Sequence, residues 1–127
     1  MARYEHLPVF RDGYELVLRI FRFAGGLAKA HKYSIGEMLR LESLKILQSI
    51  VAANSEHVGE KRIAFLSEAL LAIETVRILM RTVHDLQGCT TTQFAYIAES
   101  VESVSKQLAG WHRSMPGKME ARRGPES

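Results

Sequence analysis

The stretch from Phe94 to Met115, FAYIAESVESVSKQLAGWHRSM, places its large apolar side chains at Phe94, Ile97, Val101, Val104, Leu108, Trp111 and Met115. Steps of three and four residues keep all of them on one stripe of a helix, because residues so spaced stack on one side of a 3.6-residue turn. Three further stretches upstream show the same rhythm. The segments between them are short, and short connections make successive helices antiparallel neighbours. The fold class expected is therefore all-α, an antiparallel up-down four-helix bundle.

Chain length and composition agree with one domain. At 127 residues, 46% hydrophobic and 24% charged, the chain can bury roughly two thirds of the surface that its unfolded form exposes. Residues 1–115 hold all four stripes and form the expected bundle. Residues 116–127 are polar, charged and without a stripe, so the last helix is expected to end before Pro116 and a disordered tail to follow. The longest charge-free runs, Ile46 to Ser55 and Leu86 to Ala98, are too short to cross a bilayer. The first ten residues include Glu5, His6 and Pro8 where a secretory signal would have a basic end and an apolar core. Cys89 is the sole cysteine, which excludes an internal disulfide and suits a reducing, cytoplasmic setting.

Local signals place the helix ends. Pro8 suits a first helical turn, where its missing N–H is no loss, and Gly25-Gly26 weaken the other end of that helix. Ser34 with Glu37 has the spacing of a capping box, which starts a second helix that runs to about Asn54. A third helix spans Gly59 or Glu60 to Gln87, with Leu66, Ala69, Ile73, Val76, Met80 and Val83 as its core stripe. Gly88 is expected to close it in the left-handed conformation, and Thr90 to Thr92 to cap the fourth.

The first helix has two apolar stripes. Phe10, Tyr14, Val17, Phe21, Ala24 and Ala28 form one; Leu16, Ile20, Phe23 and Leu27 form the other. A helix apolar over much of its circumference must be covered on more than one side. Either the second stripe is an interface between subunits, or the helix has a wide core face. Small residues at Ala109 and Gly110 beside Trp111 would likewise permit close helix contact, within a subunit or between subunits.

Net charge is +3 and lies mainly toward the N-terminus. Residues 1–33 hold Arg3, Arg11, Arg19, Arg22, Lys29 and Lys32 against Glu5, Asp12 and Glu15. Arg77 and Arg81 lie four apart, so both guanidinium groups leave the same side of the third helix. Such a pair can grip phosphate oxygens; the plainer alternative is a solvated face on which Glu74 neutralises it. No two of His6, His31, His57, His84 and His112 are spaced three or four residues apart, and no Glu-x-x-His occurs, so neither a metal site nor any other cofactor is expected. Cys89 near His84 and Asp85 lacks an orienting third group and oxyanion donors, which makes it a loop residue and leaves no catalytic residue to name.

His31-Lys32-Tyr33-Ser34-Ile35-Gly36, Val76-Arg77-Ile78-Leu79-Met80-Arg81, Asp85-Leu86, Thr92-Gln93-Phe94 and Gln107-Leu108-Ala109-Gly110-Trp111 follow one another in the order seen in a known group. Through them the chain resembles the Avd-like four-helix proteins, accessory proteins of diversity-generating retroelements. Their wider group includes proteins encoded in intervening sequences of 23S ribosomal RNA genes, whose start Tyr4-Glu5-His6-Leu7 with Val9-Phe10 is similar. The chain departs from the pattern at Ala109, where a second glycine is usual, and at Ala28, where many members have proline.

The resemblance implies a homopentameric ring of four-helix bundles with a basic surface and no catalysis, which binds nucleic acid and a reverse transcriptase. On that reading Arg77 and Arg81, which match the family's paired arginines on the third helix, contact nucleic acid or the partner protein, and Arg19, Arg22, Lys29 and Lys32 of the basic first third are expected to join them. Leu16, Ile20, Phe23, Leu27, Gly110 and Trp111 would form the subunit interface. The alternative is a structural or protein-interaction scaffold for which the positive charge is incidental.

Overall fold

In the computed structural model, the backbone is described for residues 4–123 and side chains for residues 4–115. One turn of 3-10 helix, Tyr4–His6, precedes α1 (Pro8–Gly25), α2 (Lys29–Lys32), α3 (Ile35–Ser55), α4 (Gly59–Asp85) and α5 (Thr91–Arg123). The four long helices are those expected from the stripes. The single-turn α2 is too short for its periodicity to be read.

α1 packs on α3 and α5, and α4 packs on the same two helices, so the four close into a ring. Cross-contacts run in opposite directions along each pair. Asp12 meets Gln107 and Arg19 meets Glu99 between α1 and α5, while Ser67 meets His112 and Arg77 meets Glu102 between α4 and α5. Neighbours are thus antiparallel. The tight α3–α4 turn is closed by Arg62, which donates to the Ala53 carbonyl at 2.9 Å and to the Glu56 carbonyl at 2.6 Å. Those carbonyls would otherwise be orphans of the α3 end.

The core runs along the bundle axis through Leu16, Ile20, Leu39, Ile46, Ile50, Leu66, Ile73, Val76, Ile97, Val104 and Leu108. Each such side chain contributes about 1.5–3 kcal/mol on burial. The α5 stripe lies where its spacing placed it, with Phe94 and Trp111 partly buried at its ends. At Gly13 a Cβ would stand 3.2 Å from Leu47 Cδ1 and 3.3 Å from Ile50 Cδ1, so this glycine lets α1 and α3 approach closely.

The second stripe of α1, expected at a subunit interface, is largely covered within the single chain. Leu16 and Ile20 are wholly inaccessible within the single chain, Leu27 is buried, and Phe23 is half-buried against the same core. In a closed four-helix ring each helix is covered from two sides, by α3 and α5 in this case, so Leu16, Ile20 and Leu27 are covered without a partner, while Tyr14 and Phe21 of the first stripe stay exposed. Trp111 also packs on its own subunit's core. A Cβ at Gly110 would meet only Arg113 Nη2, at 3.9 Å, so no close approach within the subunit calls for that glycine.

Three helix ends differ from the sequence expectation. Ser34 makes no capping bond; its hydroxyl donates back to the His31 carbonyl at 3.3 Å, and Glu37 pairs with Arg40 at 2.6 Å. The turn of α2 just upstream offers Ser34 a local acceptor, which diverts it from the helix it was to cap. The left-handed residue after α4 is Gln87, with φ of 61°, not Gly88. The Gly88 N–H reaches the Val83 carbonyl at 2.8 Å and the Gln87 N–H the His84 carbonyl at 2.9 Å, the two bonds of a Schellman end. Lastly, α5 continues through Pro116 to Arg123. Proline removes one donor and disfavours helix without forbidding it. The expected tail falls on residues whose side chains, and from 124 whose backbone, lie outside the described residues.

The Gln87 geometry gives a direct test. A side chain in the left-handed region is disfavoured by about 1 kcal/mol or more, a penalty that glycine escapes. Gln87→Gly should therefore raise stability by roughly 0.5–1 kcal/mol, seen as a higher urea midpoint. A lower midpoint would contradict the cap.

Candidate nucleic-acid interface

Charge is unevenly distributed along the bundle. Residues 16–36, which form most of α1, α2 and the start of α3, hold Arg19, Arg22, Lys29 and Lys32 and no carboxylate. Residues 86–98, the α4–α5 loop and the first turns of α5, hold no charged side chain at all. The fold brings these two segments together at one end. Gly88 sits so close to His31 that a Cβ would be 3.1 Å from the imidazole Cδ2, and Arg19 reaches the carbonyl of Tyr96.

The six expected cations play different parts there. Arg19 is a tie between helices: it donates to the Tyr96 carbonyl at 2.9 Å and to Glu99 at 3.1 Å, lies 3.7 Å from Glu15, and places its guanidinium 4.0 Å from the Tyr96 ring centroid. Its charge is already matched by two carboxylates. Arg22, Lys29 and Lys32 enter no ion pair among the described residues, and Arg22 and Lys29 are exposed. The carboxylates at the rim are engaged elsewhere, Glu37 with Arg40 and Asp85 with Arg81 at 3.7 Å.

Arg77 and Arg81 do not form a fork aimed at solvent. Arg77 is held by Glu74 on its own helix and by Glu102 of α5, at 2.7 Å from the latter. Its neutralisation by Glu74 is the plainer alternative that the spacing allowed. Glu102 adds a link that local sequence could not reveal. Arg81 is largely exposed beside Asp85. Arg77 and Arg81 line a shallow cleft of about 290 Å³ with Met80, Phe94, Ala98, Val101 and Glu102.

The end of the bundle is finished by a reciprocal cap on α5. The Thr90 N–H donates to Gln93 Oε1 at 2.9 Å and the Gln93 N–H to Thr90 Oγ1 at 3.0 Å, so Thr90 is the capping residue of the threonine run. Cys89, in the loop before it, is partly buried, and burial pushes its thiol up from the ordinary value. That disfavours the thiolate a nucleophile needs. Among the described residues no three His, Cys, Asp or Glu side chains gather in a metal-binding group, and no helix is long and apolar enough to cross a membrane.

Sequence reasoning found the cations but not which of them are free. The signal was present in part: the absence of any acid between Glu15 and Glu37 is visible in the chain itself. Comparison with known protein families and with curated proteins finds no match.

Proposed function

We propose that the protein is a non-enzymatic helical adaptor that binds RNA or DNA through the cationic end formed by α1, α2 and the α4–α5 loop. The observation that carries this reading is the convergence of an acid-free basic segment with a charge-free one, leaving Arg22, Lys29 and Lys32 without carboxylate partners among the described residues. Unpaired cations on a shared surface are what a phosphate backbone neutralises, with release of its own counterions. Exposed aromatic rings at the same end, Tyr33 and Tyr96, add the stacking surfaces common in single-strand binders. Filter binding of a structured RNA at low salt tests this. Retention that weakens steeply as salt rises is expected; no retention at low salt contradicts it.

The likeness to Avd-like proteins extends the proposal to a homopentameric ring, with a reverse transcriptase as protein partner. A ring would multiply the modest charge of each copy and focus its field. Apolar surface for such assembly is left on the outer sides of α3 and α4, where Leu41, Leu71 and Ile78 are each about two-thirds exposed, at 65%, 69% and 65%. Leu71 lines a groove of about 620 Å³ together with Lys45, Glu68, Phe65 and Thr75 among others. Leu71→Glu with Ile78→Glu should reduce the assembly to monomers in sedimentation while changing stability by no more than about 0.5 kcal/mol per site. An unchanged sedimentation coefficient would remove this face from the interface.

The same exposed leucine and isoleucine side chains favour a second reading, a scaffold whose partner is a protein and whose charge is incidental. The two readings part on the cationic end. Reversal of Arg22, Lys29 and Lys32 leaves partner capture intact under the second and abolishes nucleic-acid binding under the first.

A further inference from the structure

We propose that the seam between α1 and α5 is a nucleobase-stacking site for single-stranded nucleic acid, with Tyr96 as its platform; this rests on the nucleic-acid reading above. Tyr96 is half exposed, at 51%, yet its ring is held in place. The Arg19 guanidinium lies against it at 4.0 Å from the centroid while also gripping its backbone carbonyl and Glu99. A ring fixed on one side by a partly buried tie and open on the other loses little freedom when a base stacks on it.

Beside the ring lies a cleft of about 230 Å³ lined by Arg19, Arg22, Phe23, Gln93, Tyr96 and Ile97. Phe23 and Ile97 give it an apolar floor. Gln93 uses its carbonyl oxygen to cap α5, which leaves its amide N–H groups to donate to the edge of a base. Arg22 stands in the same cleft without a carboxylate partner among the described residues and can meet a phosphate.

The surrounding charge sets a direction. Glu15 and Glu99 lie on the Arg19 side of the ring, where a phosphate would be repelled. Arg22 and Lys29 lie toward the end of α1, where it would be drawn. A strand entering the seam therefore runs its backbone away from Glu99 and over the end of the bundle. The combination of a planar aromatic, a small apolar cleft and cations on one side only is the chemistry of a single-strand site. A double helix presents no free base face to it.

The test is fluorescence anisotropy of a labelled oligouridylate with the full chain at low salt, with Tyr96→Leu, Tyr96→Phe and uridine monophosphate as competitor. Tyr96→Leu should weaken binding roughly tenfold, while Tyr96→Phe, which keeps the stacking face, should bind within about twofold of the unmodified chain. Both should melt as the unmodified chain does, since the ring is at the surface. Normal binding by Tyr96→Leu, with binding lost on reversal of Arg22, Lys29 and Lys32, would overturn the stacking site and leave the cationic end standing. Binding of duplex RNA but not of the oligouridylate would do the same. Displacement by the mononucleotide at the strand's own concentration would overturn the strand assignment in favour of a free nucleotide. Failure to bind any nucleic acid would remove both proposals.

Discussion

Ile20→Glu is expected to leave the chain without a cooperative unfolding transition. Ile20 has no accessible surface in the single subunit and sits among Leu16, Leu39 and the α5 stripe in the central core. Removing such a side chain to alanine costs about 2–5 kcal/mol through lost transfer energy and the cavity left behind. A glutamate adds the penalty of a buried, unpaired carboxylate, which is several kcal/mol even after the group takes up a proton. Domains of this size are stable by only about 5–15 kcal/mol, so the two effects together take most or all of what is available. Circular dichroism against urea should show a shallow, early loss of helix. A well-folded monomeric Ile20→Glu protein would mean that this stripe faces a second subunit after all. The pairing with Leu71→Glu and Ile78→Glu is informative because the two tests predict opposite outcomes: loss of the fold in one, loss of assembly with an intact fold in the other.

Arg22→Glu, Lys29→Glu and Lys32→Glu combined should weaken nucleic-acid binding by at least about a hundredfold at low salt. Each basic side chain near an anionic surface contributes about 1 kcal/mol, and three amount to roughly two orders of magnitude in affinity before any repulsion by the new carboxylates. Stability should hardly change, because none of the three makes an ion pair among the described residues. Arg77→Glu with Arg81→Glu is the matched comparison. Arg77 already spends its charge on Glu74 and Glu102, so reversal there should disturb the α4–α5 contact more than it disturbs binding. An equal loss of affinity from both sets of changes would show that the cationic end has no special role. Filter binding at one fixed low salt concentration compares them directly.

How much of this was legible in the chain depends on how local each determinant is. Periodicity located the four long helices and the buried residues of α5, because a stripe is a property of one helix. It identified which residues of α1 share a face. It could not say how broad a face the neighbours would cover, and so it left Leu16 and Ile20 open to an interface role that the closed ring denies them. Pro8 and Thr90 acted within one turn of their own positions and could be read correctly. Ser34 could not, because a helix of four residues upstream changed its options, and Gln87 took the strained conformation one residue before the glycine that seemed suited to it. The site was legible as composition but not as geometry. Nothing near Arg19 in sequence announces Glu99 or Tyr96, some eighty positions away, and nothing near Arg77 announces Glu102.

Whether the cationic end binds phosphate is measured most directly by the salt dependence of RNA affinity for the unmodified chain against the Arg22→Glu, Lys29→Glu, Lys32→Glu variant. Each phosphate contact contributes about 0.7 to 0.9 to the slope of log affinity on log salt. A phosphate-binding cationic end gives a negative slope for the unmodified chain that becomes shallower by about two to three in the variant. An identical slope in the two proteins, or an affinity indifferent to salt, would contradict phosphate binding there.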